Sequence, residues 1–251
     1  MLREERHQRI LEILSAEGRV IATELSARLQ VSEDTIRRDL KELDHQGLLH
    51  RVHGGALLKG PPVVHFEARH GQSPQAKTAI AKKALQLVKN GQVMIIDGGT
   101  TTLRFAEQLP HQLTATVITN SPPVASALAS HPNIEVIMLG GRLLKRSIVN
   151  IGGETLEALD RVRADLCVLG AYSIDSSIGL SVPDQEEAFV KKKMISVSTE
   201  TVALVTAEKL GTASSFIFAS ASQLTYLVTS PGVNPEMLRQ YEQQGVTVLQ
   251  P

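Results

Sequence analysis

Two stretches near the start of the chain place apolar residues at helical spacing. They predict amphipathic helices over residues 3–17 and 19–29. The positions expected to face inward are Ile10, Ile13, Leu14, Leu25 and Leu29. Thr23 is a candidate cap for the second helix, because its hydroxyl can accept a backbone N–H of the first turn. The segment that follows Leu29 predicts a tight turn into a third helix.

The third predicted helix, residues 33–46, has one apolar face and one basic face. Ser32 is a good N-cap, and Gly47 suits the helix end. The apolar stripe consists of Ile36, Leu40 and Leu43. At about 100° per residue, the residues opposite that stripe are Arg37, Arg38 and Lys41. A basic face of this size can enter a DNA major groove, although charged helix faces are usually only solvated.

A Gly-rich segment after this helix strengthens the DNA-binding interpretation. Residues 48–59, with a glycine pair in the middle, predict a short β-hairpin that carries Arg51 and His53. A capped basic helix between a tight turn and a hairpin is typical of a winged helix-turn-helix. The predicted contacts to double-stranded DNA are Ser32, Thr35, Arg37, Arg38, Lys41, Arg51 and His53.

Apolar strands alternate with helices from Gln75 to the end of the chain. This alternation predicts an α/β domain whose mostly parallel sheet is covered on both faces. The expected strands are residues 92–97, 114–120, 134–139, 165–171, 201–206, 215–219, 224–228 and 246–249. The expected helices lie near residues 75–89, 154–160 and 184–199, and others begin near Thr102, Pro122 and Pro235. Residues 60–74 are rich in proline and glycine, which predicts a linker between a domain at 1–59 and one at 75–251.

Charge and composition narrow the class of protein. The formal net charge of the 251 residues is zero, and residues 1–60 also balance, so DNA binding must rely on charge segregated onto one face. The charged start, and the lack of an apolar run of about 18 residues, predict a soluble, cytoplasmic protein without a membrane span. The lone Cys167 is expected to be a small buried side chain. The scattered histidines suggest no metal site, and no cofactor is expected.

Polar residues gather where the predicted strands end, which is where ligands bind in parallel sheets. The glycine pair at 98–99 allows a close approach to an anion, and the following helix start offers N–H groups. Arg142 and Lys209 could neutralise a phosphate, and Asp97 and Asn120 could bind sugar hydroxyls. No strand is followed by G-x-G-x-x-G, so a dinucleotide is not expected.

The segment TIRRDLKELDHQGLLHRVHGGA, residues 35–56, closely resembles the signature of DeoR-type bacterial transcription regulators. The resemblance extends over nearly the whole chain. It implies a winged helix-turn-helix followed by a domain that senses a small metabolite, commonly a sugar phosphate. It also implies that this second domain resembles ribose-phosphate isomerases and glucosamine-phosphate deaminases in fold.

The resemblance adds residues to the predicted effector site. The family's motifs correspond here to the DGGTTT run, the TNS triplet, the LGG turn, residues 184–191 and the Glu208-Lys209 pair. The full predicted site comprises Asp97, Gly98, Gly99, Thr100, Thr101, Thr102, Asn120, Gly141, Arg142, Glu187, Lys191 and Lys209. Glu187 and Lys191 lie four residues apart and could instead form a helix-surface ion pair. The chain departs from the family at Tyr172-Ser173 and at residues 206–209, so the sugar end of the pocket is expected to differ.

These features favour a ligand-controlled transcription factor, and the family's habit favours a repressor. The alternative is a sugar-phosphate isomerase or deaminase with an appended helical domain, since Asp97 and Glu187 could serve as acid and base. The basic third helix favours the regulator, because an isomerase has no use for it. We also expect a homo-oligomer built through residues 75–251, because one winged module makes few base contacts.

Overall fold

The computed structural model describes residues 1–59 and 64–251, apart from the side chains of Ser15 and Ala16. The elements of the N-terminal domain are α1 (Arg3–Glu17), β1 (Arg19–Ile21), α2 (Ala22–Leu29), α3 (Glu33–His45), β2 (His50–Val52) and β3 (Gly55–Lys59). Strands β1, β2 and β3 form a small sheet that we call the wing. Strand β3 is its centre, because it pairs antiparallel with both β1 and β2. The three helices enclose one apolar core that includes the predicted inward residues Ile10, Leu14, Leu25, Leu29, Ile36, Leu40 and Leu43.

The predicted first and third helices are confirmed, and the second is wrong at its start. Residues 19–21 form a strand, because Val20 is buried and its segment pairs with residues 55–57. Thr23 is therefore not a cap, and α2 begins after Ile21 without a side-chain cap. Ser32 does cap α3, since its hydroxyl accepts a hydrogen bond from the Thr35 amide at 3.2 Å.

A buried ion pair that the sequence pattern did not reveal joins α1 to α3. Asp39 is 4% exposed and lies among the apolar residues of α3. It accepts hydrogen bonds from Arg6 Nε at 2.5 Å and Arg6 Nη2 at 3.0 Å. His7 Nε2 lies 3.0 Å from the same carboxylate. The orientation of the basic helix is thus fixed from inside the domain.

The second domain alternates strands with helices as predicted. Its first half contains α4 (Phe66–His70), α5 (Pro74–Ala84), β4 (Val93–Ile96), α6 (Thr100–Glu107), β5 (Ala115–Thr119), α7 (Pro122–Leu128), β6 (Ile134–Met138), β7 (Arg142–Leu144), β8 (Val149–Ile151) and α8 (Gly153–Asp160). Its second half contains β9 (Ala164–Gly170), β10 (Ser173–Asp175), β11 (Gly179–Val182), α9 (Gln185–Ser196), β12 (Ser198–Val205), β13 (Thr212–Ala213), β14 (Phe216–Ala219), β15 (Tyr226–Thr229), α10 (Pro235–Glu242) and β16 (Thr247–Leu249).

Seven of the described strands form one sheet in the order β16-β15-β12-β9-β4-β5-β6, with every neighbouring pair parallel. Alternate residues of these strands enter two separate cores, because successive side chains of a strand point to opposite faces. Ile95 and Cys167 belong to the core on the side of α8, α9 and α10. Met94 and Val168 belong to the core on the side of α5, α6 and α7. The predicted parallel sheet with both faces covered is therefore confirmed.

Other features of this domain were not predicted. Strands β7 and β8 form a hairpin, and β10, β11 and β14 form a small antiparallel sheet. Part of the predicted linker, residues 60–63, lies outside the described residues. Another part forms α4, where Phe66 is 5% exposed and its amide donates to the Arg146 carbonyl at 2.8 Å. Across the described residues, every helix is too short or too polar to cross a membrane.

Candidate functional site

The basic residues predicted to contact DNA lie exposed in the N-terminal domain. Arg37 and Arg38 extend from α3 with 62% and 81% of their side chains exposed. Lys41 is exposed on the same helix, and Arg51 and His53 are exposed on the β2–β3 hairpin. The structure thus leaves these five side chains accessible to a nucleic acid.

Each arginine of α3 pairs with an acidic residue one turn earlier. Arg37 lies 2.6 Å from Glu33, and Arg38 lies 2.8 Å from Asp34. Exposed pairs of this spacing contribute only about 0.3–0.5 kcal/mol. Both guanidinium groups can therefore exchange a carboxylate for a DNA phosphate or a base edge at little cost.

The ends of α3 are held by polar contacts. The hydroxyls of Ser32 and Thr35 lie 2.8 Å apart at the helix start, so these two predicted DNA contacts also stabilise the first turn. Near the other end, Asp44 accepts a hydrogen bond from the Arg51 amide at 3.2 Å. This bond fixes the hairpin beside the basic helix.

A cleft lies beyond the carboxyl ends of β4, β9 and β12. Its sheet side is formed by tightly packed backbone. A Cβ atom added to Gly98 would lie 2.0 Å from Val149 Cγ1, and one added to Gly170 would lie 2.8 Å from the Gly98 carbonyl. Glycine at these positions lets the two strand ends meet, and Thr100 and Thr101 at the start of α6 line the cleft.

A buried charge network forms one wall of this cleft. Lys191 is 2% exposed and donates to the Asp97 carboxylate and, at 3.0 Å, to the Gly170 carbonyl. Glu187 Oε1 lies 3.7 Å from the same amine, and Ser147 donates to Glu187 at 3.3 Å. Burial alone would lower the pKa of Lys191, but Asp97 and Glu187 outweigh it and raise that pKa. Burial raises the pKa of Glu187 above its ordinary value.

Three further basic residues face the cleft. Arg69 comes from α4, and its Nε is buried without a hydrogen-bond partner among the described residues. Arg146 comes from the β7–β8 turn and lies 3.4 Å from Asp184. Lys209 follows β12 and donates to the Ala171 carbonyl at 2.6 Å. These cations come from segments far apart in the sequence.

The cations also shift one another's titration. Burial, together with Arg69, Lys77 and Lys191, lowers the pKa of Lys209 to about 7. Burial is also the main cause that lowers the pKa of Lys77, whose amine donates to the Arg69 carbonyl. A site that holds several cations close together and away from water favours a ligand that brings negative charge.

Most of the predicted effector residues come together in the cleft. Those that line it are Gly98, Gly99, Thr100, Thr101, Glu187, Lys191 and Lys209. Asp97 is 1% exposed and takes part through its ion pair with Lys191. The alternative interpretation of Glu187 and Lys191 as a solvated surface pair is wrong, because both side chains are buried.

Two of the predicted ligand contacts form hydrogen bonds to the backbone and are absent from the lining of the cleft. Thr102 is fully buried, and its hydroxyl donates to the Gly99 carbonyl at 3.0 Å within the first turn of α6. Asn120 is 1% exposed, and its amide nitrogen donates to the Asn150 carbonyl at 3.0 Å. A polar residue after a strand can satisfy backbone groups as well as a ligand, so a role of these two residues in ligand binding stays a prediction.

Two further predicted residues, Gly141 and Arg142, follow β6 and are not among those that line the cleft. A Cβ atom added to Gly141 would lie 2.3 Å from the Thr155 hydroxyl, so this glycine serves the packing of α8. Arg142 is 64% exposed and pairs with Glu186. The sequence could not separate Arg142 from Arg146, because the β7–β8 hairpin that orients both was not predicted.

The residues that sequence reasoning missed are Arg69, Arg146 and Lys77. Arg69 lay within the predicted linker, although the stretch FEARH around it has helix-forming residues that could have been recognised. Tyr172 was noted as a departure from the family, and it lines the cleft between Ala171 and the small antiparallel sheet.

A winged helix-turn-helix joined to a parallel α/β domain with a charged cleft defines a DNA-binding regulator with a sensor domain. Residues 6–60 match the DeoR-like helix-turn-helix domain, and residues 72–231 match the DeoR C terminal sensor domain. The chain belongs to the DeoR family of transcriptional regulators.

Relatives match along nearly the whole chain. The HTH-type transcriptional regulator GlpR of Haloferax volcanii is 36% identical over 256 residues, which cover 99% of this chain and 98% of the relative. The HTH-type transcriptional repressor GlcR of Bacillus subtilis is 32% identical, with 99% and 96% covered. The regulator UlaR of Escherichia coli is 31% identical, with 99% of each covered. These relatives are regulators, so the chain is a regulator and the enzyme alternative is not supported.

The chain is also similar to a ribose 5-phosphate isomerase of Methanocaldococcus jannaschii, with a TM-score of 0.42 and 21% identity over 55% of each chain. A likeness of this degree carries no argument about what the cleft binds.

Proposed function

We propose that the chain is a transcriptional repressor whose affinity for operator DNA is controlled by a phosphorylated sugar or a related phosphorylated metabolite. The observation that carries the ligand class is the buried Nε of Arg69, which has no hydrogen-bond partner among the described residues. Arginine binds phosphate through two parallel hydrogen bonds, which are shorter and stronger than neutral ones. An anion in the cleft would satisfy Arg69 and meet the N-terminus of α6.

The other wall of the cleft suits hydroxyl groups. Glu187 presents a buried carboxyl group beside Lys191, and Tyr172 adds a phenol to the cleft. Carboxyl and phenol groups can accept and donate hydrogen bonds to a polyol. We assign the phosphate to Arg69, Lys209 and the α6 N-terminus, and the sugar to Glu187 and Tyr172.

Calorimetry on the full chain tests the ligand class. Glucose 6-phosphate, ribose 5-phosphate and glycerol 3-phosphate would each be compared with the unphosphorylated compound. We expect the phosphorylated form of at least one to bind at least tenfold more tightly. Arg69→Gln and Lys209→Ala should each remove most of that preference, whereas Arg161→Gln, at an exposed position just after α8, should keep it. Equal binding of the free sugar would contradict the proposal.

The DNA contacts proposed are those of α3 and the hairpin, from Ser32 to His53. The repressor function is supported by the name of GlcR and by that of the Escherichia coli relative described as a putative aga operon transcriptional repressor. Regulated transcription from an operator-linked reporter should rise when the gene for this chain is deleted. Unchanged or lower transcription would contradict repression.

The homo-oligomer, the cytoplasmic location and the division into residues 1–59 and 75–251 stay predictions. An oligomer should bind two half-sites whose centres lie about 10 bp apart, or a multiple of that, on one side of the duplex. Light scattering that shows a monomer, bound tightly to one isolated half-site, would contradict this expectation.

A further inference from the structure

A pair of short strands joins the wing to the second domain. β13 pairs in parallel with the end of β3, so that Thr212 lies beside Leu58 and Ala213 beside Lys59. Thr212 is 4% exposed and Ala213 is 1% exposed, so strand β13 is buried where it pairs with β3. Because β3 also pairs with β1 and β2, backbone from the second domain extends the sheet of the wing.

The same segment of the second domain leads directly into the cleft. Lys209 lines the cleft and stands three residues before Thr212. The Thr212 hydroxyl donates to the Lys209 carbonyl at 2.8 Å, and the Lys209 amide donates to the Thr206 carbonyl at 3.0 Å. Leu210 forms a parallel bridge with Ile174. The segment is therefore too short and too well held to absorb a movement of Lys209.

The end of α1 rests on this segment as well. Gly18 lies beside Gly211, since a Cβ added to Gly18 would be 4.0 Å from the Gly211 carbonyl oxygen. The Gly18 carbonyl accepts a hydrogen bond from the Leu58 amide at 3.1 Å. The wing thus meets residues 209–213 of the second domain, and the end of the first helix lies between Gly211 and Met237 of α10.

We propose that residues 209–213 transmit ligand binding in the cleft to the wing. The amine of Lys209 donates to the Ala171 carbonyl, and an anion in the cleft would compete with that carbonyl for the amine. A shift of Lys209 moves β13, and β13 moves β3 relative to the basic helix α3. The ligand half of this inference rests on the function proposed above, whereas the DNA half does not.

The inference requires coupling in both directions. A ligand shifts a conformational equilibrium only when it binds the two states unequally. If the cleft changes operator affinity, then operator DNA changes ligand affinity by the same factor, typically about 5–150-fold. Operator binding alone must therefore alter residues 209–213, which allows a test that does not depend on the identity of the ligand.

Hydrogen exchange on the full chain provides that test, with an operator duplex selected from a random library. We expect DNA to change the exchange of peptides over residues 207–213 as well as those of the N-terminal domain. A second form would carry two glycines inserted between Gly211 and Thr212. A matched form would carry the same insertion after Gly232, which lies in an exposed turn.

The insertion at Gly211 should keep operator affinity within about threefold and abolish the exchange response at 207–210. The operator Kd of the wild type is measured with and without glucose 6-phosphate or inorganic phosphate. If either compound changes it, the insertion at Gly211 should abolish that change, whereas the insertion after Gly232 should preserve it. Thr212→Val, which keeps the strand shape and removes the bond to Lys209, should weaken the response without loss of folding.

The proposal is overturned if wild-type protein binds the operator with no exchange response at 207–213. It is equally overturned if the insertion at Gly211 preserves the full response. Failure of every phosphate compound to bind would contradict the proposed ligand class. The DNA experiment would still decide whether residues 209–213 respond to binding at the N-terminal domain.

Discussion

The two charged regions of this molecule are built in opposite ways. The arginines of α3 are exposed and pair with acids four residues away on the same helix. The cleft instead buries Lys191 between Asp97 and Glu187, with 3% or less of the lysine and aspartate side chains exposed. An exposed pair is weak and exchanges partners freely, whereas a buried charge that loses its partner has no water to replace it. The first region is thus suited to bind and release DNA, and the second to hold a fixed shape.

The largest effect is expected where the buried network is broken. Lys191→Met leaves Asp97 and Glu187 buried without their cation, which should lower the free energy of unfolding by about 3–5 kcal/mol. Lys192→Met removes an exposed lysine next to it and should change stability by less than about 0.5 kcal/mol. Urea unfolding of both variants at pH 7 measures the difference.

A double variant sharpens that test. Asp97→Asn in the Lys191→Met background removes the orphaned carboxylate and should recover part of the lost stability, because the two sites are coupled. Equal, small losses of stability in Lys191→Met and Lys192→Met would mean that removing a charge costs no more in the cleft than on an exposed surface.

The DNA-binding domain contains one buried charge of its own, and it should behave like the cleft. Burial alone would raise the pKa of Asp39, but hydrogen bonds from Arg6 and His7 outweigh it and lower that pKa. Asp39→Asn weakens these charged hydrogen bonds and should cost about 1.5–3 kcal/mol. Urea unfolding followed by exchange of the α1 and α3 amides would measure this loss.

The pH dependence of the same residue has a definite sign. A lowered pKa means that the Asp39 contribution is present at neutral pH and is lost as the pH falls below about 4 through the folded pKa. The wild type should therefore lose stability in acid more steeply than Asp39→Asn. Asp34→Asn, at an exposed position of the same helix, should keep the wild-type slope.

The contrast also explains what the sequence could predict. Helix α3 carries its cap, apolar stripe and basic face within 15 residues, so local periodicity was sufficient to find its site. The cleft draws Arg69, Thr100, Arg146, Glu187 and Lys209 from five segments that only the folded sheet brings together. The expectation that ligands bind at the carboxyl ends of parallel strands found the residues that follow β4 and β12. It failed for Arg69 and Arg146, because their positions depend on α4 and on a hairpin outside the alternating pattern.

A smaller effect is expected at the exposed arginines. Arg37→Ala and Arg38→Ala should each weaken operator binding by about 1–3 kcal/mol if the side chain reads a base. A lost phosphate contact would instead weaken binding to all sequences and flatten its salt dependence. Gel-shift titrations at two salt concentrations distinguish these cases, and neither variant should change the unfolding free energy by more than about 0.5 kcal/mol.

Arg9→Ala is the control for this experiment, because Arg9 is 64% exposed on α1 and is not among the predicted contacts. If Arg37→Ala and Arg38→Ala both bind the operator as Arg9→Ala does, α3 is not the helix that reads DNA.

The smallest effect concerns the titration of Lys209 in the cleft. Its pKa is lowered to about 7 by burial and by neighbouring cations, so the amine loses its charge as the pH rises through 7. Phosphate binding needs the charged amine, so the affinity contributed by Lys209 should fall between pH 6 and pH 8. Above the pKa of Lys209, this fall should reach up to about tenfold per pH unit. The phosphate itself titrates near 6 and gains charge over the same range, which acts in the opposite direction.

Calorimetry with glucose 6-phosphate at several pH values, repeated with Lys209→Ala, separates the two, because the variant keeps only the titration of the ligand. Parallel pH profiles for wild type and Lys209→Ala would show that Lys209 is not the group that meets the phosphate, and would shift that role to Arg69 and Arg146.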